Sequence, residues 1–167
     1  SAKELVNLSQ DDFTPGPGQL LAIVALPTAA GCQCTFIEVE IPHEGDEGLT
    51  PGYWKNYEKH EWPTPYAPTT LLSSVFSGVS HYSDLSGDHF IDALQYQGGN
   101  KDIGAARILL RSAVAALLNA AHPDINYPLS ASAIIHDVND ALATHDRMTM
   151  LDLKDILDDY NNLGAEL

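Results

Sequence analysis

Seven histidines stand in a chain that also carries 23 Asp and Glu, so metal binding is the first chemistry to set against the sequence. His43, His60, His81, His89, His122, His136 and His145 contain no pair at the i, i+4 spacing of a helical zinc site. His81 and His89 bracket Ser83-Asp84-Leu85-Ser86-Gly87-Asp88. There Asp84, Ser86 and Asp88 offer oxygens at alternate positions, as calcium loops do. The twelve-residue frame and closing bidentate Glu of an EF-hand are missing, so the competing reading is a polar loop that ends in an N-cap at Asp88. Glu44, Asp46 and Glu47 form a second acidic cluster. Calcium is thus the one cofactor left open, as a stabiliser and not as a catalyst.

Nucleophilic and acid–base chemistry find less. No G-x-S-x-G elbow occurs, and Ser80 beside His81 places two adjacent residues that rarely face each other. Asp155, Asp158 and Asp159 share a helical stretch; paired carboxylates hydrolyse glycosides only when set across a cleft, and on one helix they are usually solvated. Gly98-Gly99 lacks the Lys-Ser/Thr that completes a phosphate loop. Arg107 and Arg111 stand one turn apart in an otherwise apolar run, which calls for carboxylate partners such as Asp137, Asp140 or Asp155. No catalytic residue is nominated.

The densest cluster is Leu49-Thr50-Pro51-Gly52-Tyr53-Trp54-Lys55-Asn56. Pro51 presets φ for a turn or a first helical turn, Gly52 permits close backbone approach, and Tyr53 and Trp54 carry large apolar faces with polar tips. Pro51, Gly52, Tyr53 and Trp54 are therefore expected to form a structural junction, with Trp54 packed inside. The rival is a glycan-stacking platform of Tyr53, Trp54 and Trp62; buried tryptophans would favour the first reading and exposed coplanar ones the second.

This stretch resembles the TPGYWKNH or TPGFWKNH signature of a poorly characterised family of secreted and cell-surface proteins of bacteria and archaea. The similarity runs on through Gly104-Ala105-Ala106-Arg107-Ile108-Leu109-Leu110-Arg111, Ala113 to Pro123, Tyr127-Pro128-Leu129-Ser130 and Tyr160-Asn161-Asn162-Leu163-Gly164, about the last two-thirds of the chain. The resemblance implies location and architecture but no activity. The chain departs from the family at Tyr57, where the signature has His, and at Ala165, where a Cys is expected. The second change takes away one partner of any family disulfide tying the C-terminus to the region before the signature.

Composition narrows the classes further. Eight Lys and Arg against 23 Asp and Glu give a net charge of −15. Such a field repels nucleic acid and anionic membrane surfaces and suits an extracellular or salt-adapted protein. No apolar run is read as approaching the roughly 20 residues of a membrane span, and a start at Ser1 without Met fits a processed chain. Leu20 to Leu26 followed by Ala29-Ala30-Gly31-Cys32 imitates a signal segment, but Asp11 and Asp12 precede it where a basic cluster belongs. Cys32 and Cys34, in a C-x-C pair on a strand, point to opposite faces and cannot readily close on each other. Free thiols, intermolecular disulfides and a metal site follow in that order.

The elements that would position these residues make an α+β protein. Residues 1–18 form a polar arm with the apolar patch Leu5, Val6 and Leu8, the sequon Asn7-Leu8-Ser9, and a linker ending in Pro15-Gly16-Pro17-Gly18. Residues 19–48 are a β-strand region, with Gln19–Leu26 and Cys34–Ile41 as a hairpin. Residues 49–167 are an antiparallel helical bundle, with helices expected over Thr69–Phe76, Asp88–Tyr96, Asp102–Ala121, Ser130–Thr144 and Met148–Tyr160. Ser130 is the expected cap of the fourth, and Leu151, Leu153, Ile156 and Leu157 the inward face of the fifth. A lone hairpin is marginal in water. The function expected is therefore a secreted or cell-surface structural protein that self-associates, as a homo-oligomer or filament, by N-terminal strand addition involving Leu5, Val6, Leu8, Cys32 and Cys34. The alternative is a secreted enzyme or carbohydrate-binding module built on the aromatic platform.

Overall fold

The computed structural model describes residues 19–28, 31–40 and 45–167, with side chains described from residue 45 onward. It divides the chain into two units, Ser1–His43 and Glu44–Leu167. In the first, strands β1 (Gln19–Thr28) and β2 (Gly31–Glu40) pair antiparallel, Gln19 opposite Glu40 and Thr28 opposite Gly31. Cys32 and Cys34 take positions on β2 opposite Pro27 and Ala25. The expected arm with Leu5, Val6 and Leu8, and the thiols of the two cysteines, lie outside the described residues.

The α+β class is overturned. The described body is 55% helical, with 3% strand and no sheet. Strand pairing within Glu44–Leu167 is confined to two isolated bridges, Gly48 with Gly164 and Leu71 with His89. Fold class follows the layers that enclose the hydrophobic core, and this core is drawn from helices and the loops between them. The division at residues 43–44 also assigns 45–48 to the helical unit. Glu47 donates its backbone N–H to the Asn126 carbonyl at 3.1 Å, and Gly48 and Gly164 exchange backbone hydrogen bonds at 3.0 and 2.9 Å.

The helices of the body are α1 (Pro51–Trp54), α2 (Leu72–Val75), α3 (Phe90–Ala93), α4 (Asp102–Ala121), α5 (Ala131–Ala143) and α6 (Arg147–Asn161), with 3₁₀ turns at Ser77–His81 and Ser83–Leu85. Helices α2 and α3 are briefer than the expected Thr69–Phe76 and Asp88–Tyr96. Thr70 turns its hydroxyl to the Ala67 N–H and not to a helix start, and α3 begins after His89, whose N–H is capped by the Asp92 carboxylate at 2.9 Å. Asp88 is not the N-cap.

Helix α4 is rich in Ala and Leu, the best helix formers, and thirteen of its 20 residues are buried. It is also long and apolar enough to cross a membrane, against the sequence reading of no such run, and 72% of its apolar window is buried inside the body. Small residues let its neighbours approach closely. Helix α5 starts at Ser130, whose hydroxyl accepts from the Ala133 N–H, and buries Ile134, Val138 and Leu142. Helix α6 buries Met150, Leu157 and Asn161. With Lys154 these fall on one stripe of a 3.6-residue period, which carries Ile156 off to the side. Ile156, expected inward, is 47% exposed.

Hydrogen bonds at both ends set the direction of α6. At its start, Arg147 donates to the Gly99 and Lys101 carbonyls before α4, at 2.7 and 3.0 Å. At its end, the Asn161 amide donates to the Ser112 carbonyl at 3.0 Å. Helices α4 and α6 therefore run the same way, and α5 is the return leg between them.

A Cβ on Gly48 would fall on the Tyr160 carbonyl oxygen, and Gly164 sits at φ +87°, where side chains are strained. Gly48→Ala should lower unfolding free energy by about 1–3 kcal/mol, as overpacking does. Gly87→Ala, with nothing within 4 Å of its added carbon, should stay within about 0.5 kcal/mol. Equal denaturation midpoints for the two variants would contradict the bridge.

Asp146 caps α6, accepting from the Thr149 N–H and hydroxyl, both at 2.8 Å. Those bonds hold its carboxyl below the ordinary 3.8. The unfolded chain takes up this proton first, so the cap's contribution is present above about pH 3.8 and is lost as pH falls through the lower folded value. Asp146→Asn keeps an amide cap that cannot titrate, and its melting temperature should fall less steeply than the native one below about pH 4. Parallel acid limbs would remove Asp146 from the acid response.

Candidate functional site

Thr50 opens the signature region by accepting the Tyr53 N–H on its hydroxyl at 3.2 Å, with Pro51 in the first helical position. Asn56 closes it by donating to the Gly52 carbonyl at 2.9 Å. This single turn drives Trp54 inward to 0% exposure. The indole N–H then donates to the Asn119 Oδ1 at 2.9 Å, and the same oxygen accepts from the Leu49 N–H at 3.0 Å. The Asn119 amide donates to the Leu49 carbonyl at 2.8 Å and to the Asn161 Oδ1 at 2.9 Å. Asn161 accepts a further bond from the Tyr127 hydroxyl at 3.0 Å. Burial, with Tyr160 and Asp158 nearby, pushes the Tyr127 phenol well up, which keeps it a donor. Trp62 donates its indole N–H to the Trp54 carbonyl at 3.0 Å. No buried side-chain N or O among the described residues lacks a partner.

The junction expected at Pro51, Gly52, Tyr53 and Trp54 is thus bonded to the end of α4 and, through Asn119, to the end of α6. The aromatic platform is not assembled. Trp54 and Trp62 are 0% and 9% exposed, and Tyr53 is half-buried and stacked on His60 with ring centroids 3.8 Å apart.

The remaining nominated groups are dispersed. Asp88 accepts from the Tyr96 hydroxyl, Ser86 gives its hydroxyl to the Ser83 carbonyl and its own carbonyl to Ser73, and Asp84 is exposed. Among the described residues no group of three or more His, Cys, Asp and Glu is placed to hold a metal. His145 packs edge-on against His81, ring centroids 5.3 Å apart, with Asp102 at 3.8 Å. His136 lies beside Asp137 and Asp140. Asp155 and Asp158 both pair with Lys154, at 2.7 and 2.9 Å, and Asp158 also takes the Ser112 hydroxyl. The expected Arg107 and Arg111 ion pairs are absent among the described residues. Arg111 donates to the Tyr96 carbonyl at 3.3 Å, and Arg107 stands over the Tyr96 ring at 6.0 Å.

Two features were not nominated from sequence. The first is the pair Asn119 and Asn161; the signal available was one polar residue inside the apolar run of α4 and one on the apolar stripe of α6. The second is a cleft of about 480 Å³ bordered by α1, the segment 94–97, Arg111 of α4 and the end of α6. Its lining comes from four separate stretches, which no local pattern links. No known family, curated protein or solved structure matches the chain.

Trp54→Ala should cost about 3–5 kcal/mol, as a large-to-small core change. Asn119→Leu strands the Trp54 indole N–H, both Leu49 backbone groups and one bond of Asn161, and at about 1–3 kcal/mol per orphaned buried group should cost at least as much. Thermal melts of both variants check this, and a native melting temperature in either would show that the amide is not a packing hub.

Proposed function

We propose that this chain is a non-catalytic structural protein of the cell exterior that assembles with copies of itself through its N-terminal unit. The helical body is the rigid part. The observation that carries this reading is the burial of Trp54 and Trp62: the most chemically distinctive residues are packed into the body and do not form an exposed stacking face. The dispersal of histidines and carboxylates points the same way. The strongly acidic composition and the resemblance to secreted and cell-surface proteins support the location.

Strand addition in trans is the proposed mode. Two paired strands use one edge each, and the other edge of each carries N–H and C=O groups suited to a further strand. A head-to-tail contact of this kind propagates as a filament unless rotation closes it.

The test compares the full chain with residues 44–167. The shorter chain keeps every residue of the core cluster. Sedimentation and negative-stain electron microscopy should show ordered assemblies of the full chain and a monomeric 44–167 with unchanged helical circular dichroism. A full chain that stays monomeric at high concentration, or a 44–167 that assembles equally well, would overturn the proposal.

A further inference from the structure

We propose that the cleft beside α1 binds a small hydroxylated carboxylic acid, of the uronate-sugar class, with Arg111 and Lys55 on the carboxylate and side-chain amides on the hydroxyls. The cleft lies wholly within residues 44–167, so the inference is independent of the assembly reading. Its volume of about 480 Å³ is within the range of small-molecule sites.

Charge is the first argument. In a chain of net charge −15 with eight Lys and Arg, two of those cations line one cleft. Neither Lys55 nor Arg111 has a carboxylate partner among the described residues. One carboxylate, Asp158, lines the cleft against these two cations, and it takes the Ser112 hydroxyl and shares Lys154 with Asp155, at 2.9 and 2.7 Å. Local charge in the cleft is therefore positive, against the sign of the whole molecule.

Geometry is the second. Arg111 is half-buried on α4, the helix that buries the most residues, and its bond to the Tyr96 carbonyl at 3.3 Å anchors the guanidinium. That bond uses one of five N–H donors, and the planar fork of the others suits a carboxylate.

Acceptors are the third. Three side-chain amides line the same cleft, and each gives its NH₂ to backbone. Gln95 donates to the Ile91 carbonyl at 3.1 Å, Gln97 to the Gln95 carbonyl at 3.3 Å and Asn162 to the Asp158 carbonyl at 2.7 Å. None of their side-chain oxygens accepts a bond among the described residues, so each is left for a donor from solution, which a hydroxyl supplies. Cations and neutral acceptors in one cleft select a molecule carrying both a carboxylate and hydroxyls.

Titrating the full chain with D-glucuronate, followed by calorimetry and amide chemical shifts, tests the assignment. Glucose offers the hydroxyls without the charge, and acetate the charge without the hydroxyls. Glucuronate should bind at least about tenfold more tightly than either, with shifts concentrated at residues 50–55, 94–97 and 111. Arg111→Gln and Lys55→Gln should each weaken it about tenfold, roughly the worth of one charge-assisted contact, with native melting temperatures. Lys55 is exposed, so its variant decides the matter if Arg111→Gln fails to fold. Glucose or acetate binding as tightly as glucuronate, shifts elsewhere on the body, a native affinity in Lys55→Gln, or no binding at about 10 mM would overturn it.

Discussion

Everything in the helical body leans on one buried carboxamide. Asn119 has two donors and two acceptor lone pairs, and all four are used: by the Leu49 N–H, the Leu49 carbonyl, the Trp54 indole and Asn161. A polar group without partners in so dry a place would cost about 1–3 kcal/mol per missing bond. A fully matched one does the reverse and specifies a single arrangement. An apolar side chain at this position could pack against Trp54 in several ways. The amide accepts only the one in which Leu49, Trp54 and Asn161 all meet it.

That constraint reaches well beyond the residues it touches. Asn161 is on α6 and Asn119 on α4, so their contact fixes the register of two helices that run the same way. Arg147, clamped on the Gly99 and Lys101 carbonyls, fixes the other end. Parallel neighbours need a return path, and α5 supplies it, joined to them through residues 122–130 and 144–146. Leu49 brings the chain entering the body to the same point. Just before it, Gly48 pairs with Gly164 just after α6. The first and last turns of the body are thereby fastened together beside the tryptophan, and a side chain at Gly48 has no room because Tyr160 already fills that space.

The sequence disclosed this body unevenly. Periodicity carries information about a helix's own faces. Asp102–Ala121 has the expected bounds, and Ser130 caps the helix that follows it, because a cap and an apolar stripe are local properties. The inward position of Trp54 was legible from Pro51-Gly52-Tyr53-Trp54 alone, since a tight turn bearing two aromatics seldom leaves both in water. What was lost is non-local. Ile156 looked inward until Asn161 fixed the stripe as Met150, Lys154, Leu157 and Asn161. Arg111 called for a carboxylate and found the Tyr96 carbonyl, fifteen residues upstream, because the bend at Gly98-Gly99 brings that segment back across α4. The α+β class failed for a related reason: strands in the first unit were taken as evidence about the core, and the core of the second is built without a sheet.

The distribution of charge follows from the same architecture. A body this acidic repels copies of itself, so any attraction between chains has to come from groups that net charge does not govern, such as open strand edges and apolar side chains. Cations are scarce, and three have internal work: Lys154 bridges two aspartates on its own helix, Arg147 ties α6 to the start of α4, and Arg107 lies over Tyr96. Lys55 and Arg111 line one cleft. One projects from the single turn that buries Trp54, the other from the helix against which that turn packs. The hub that fixes α1 on α4 therefore also fixes the spacing of the two cations, and an anion held between them would bind to geometry already set by the core.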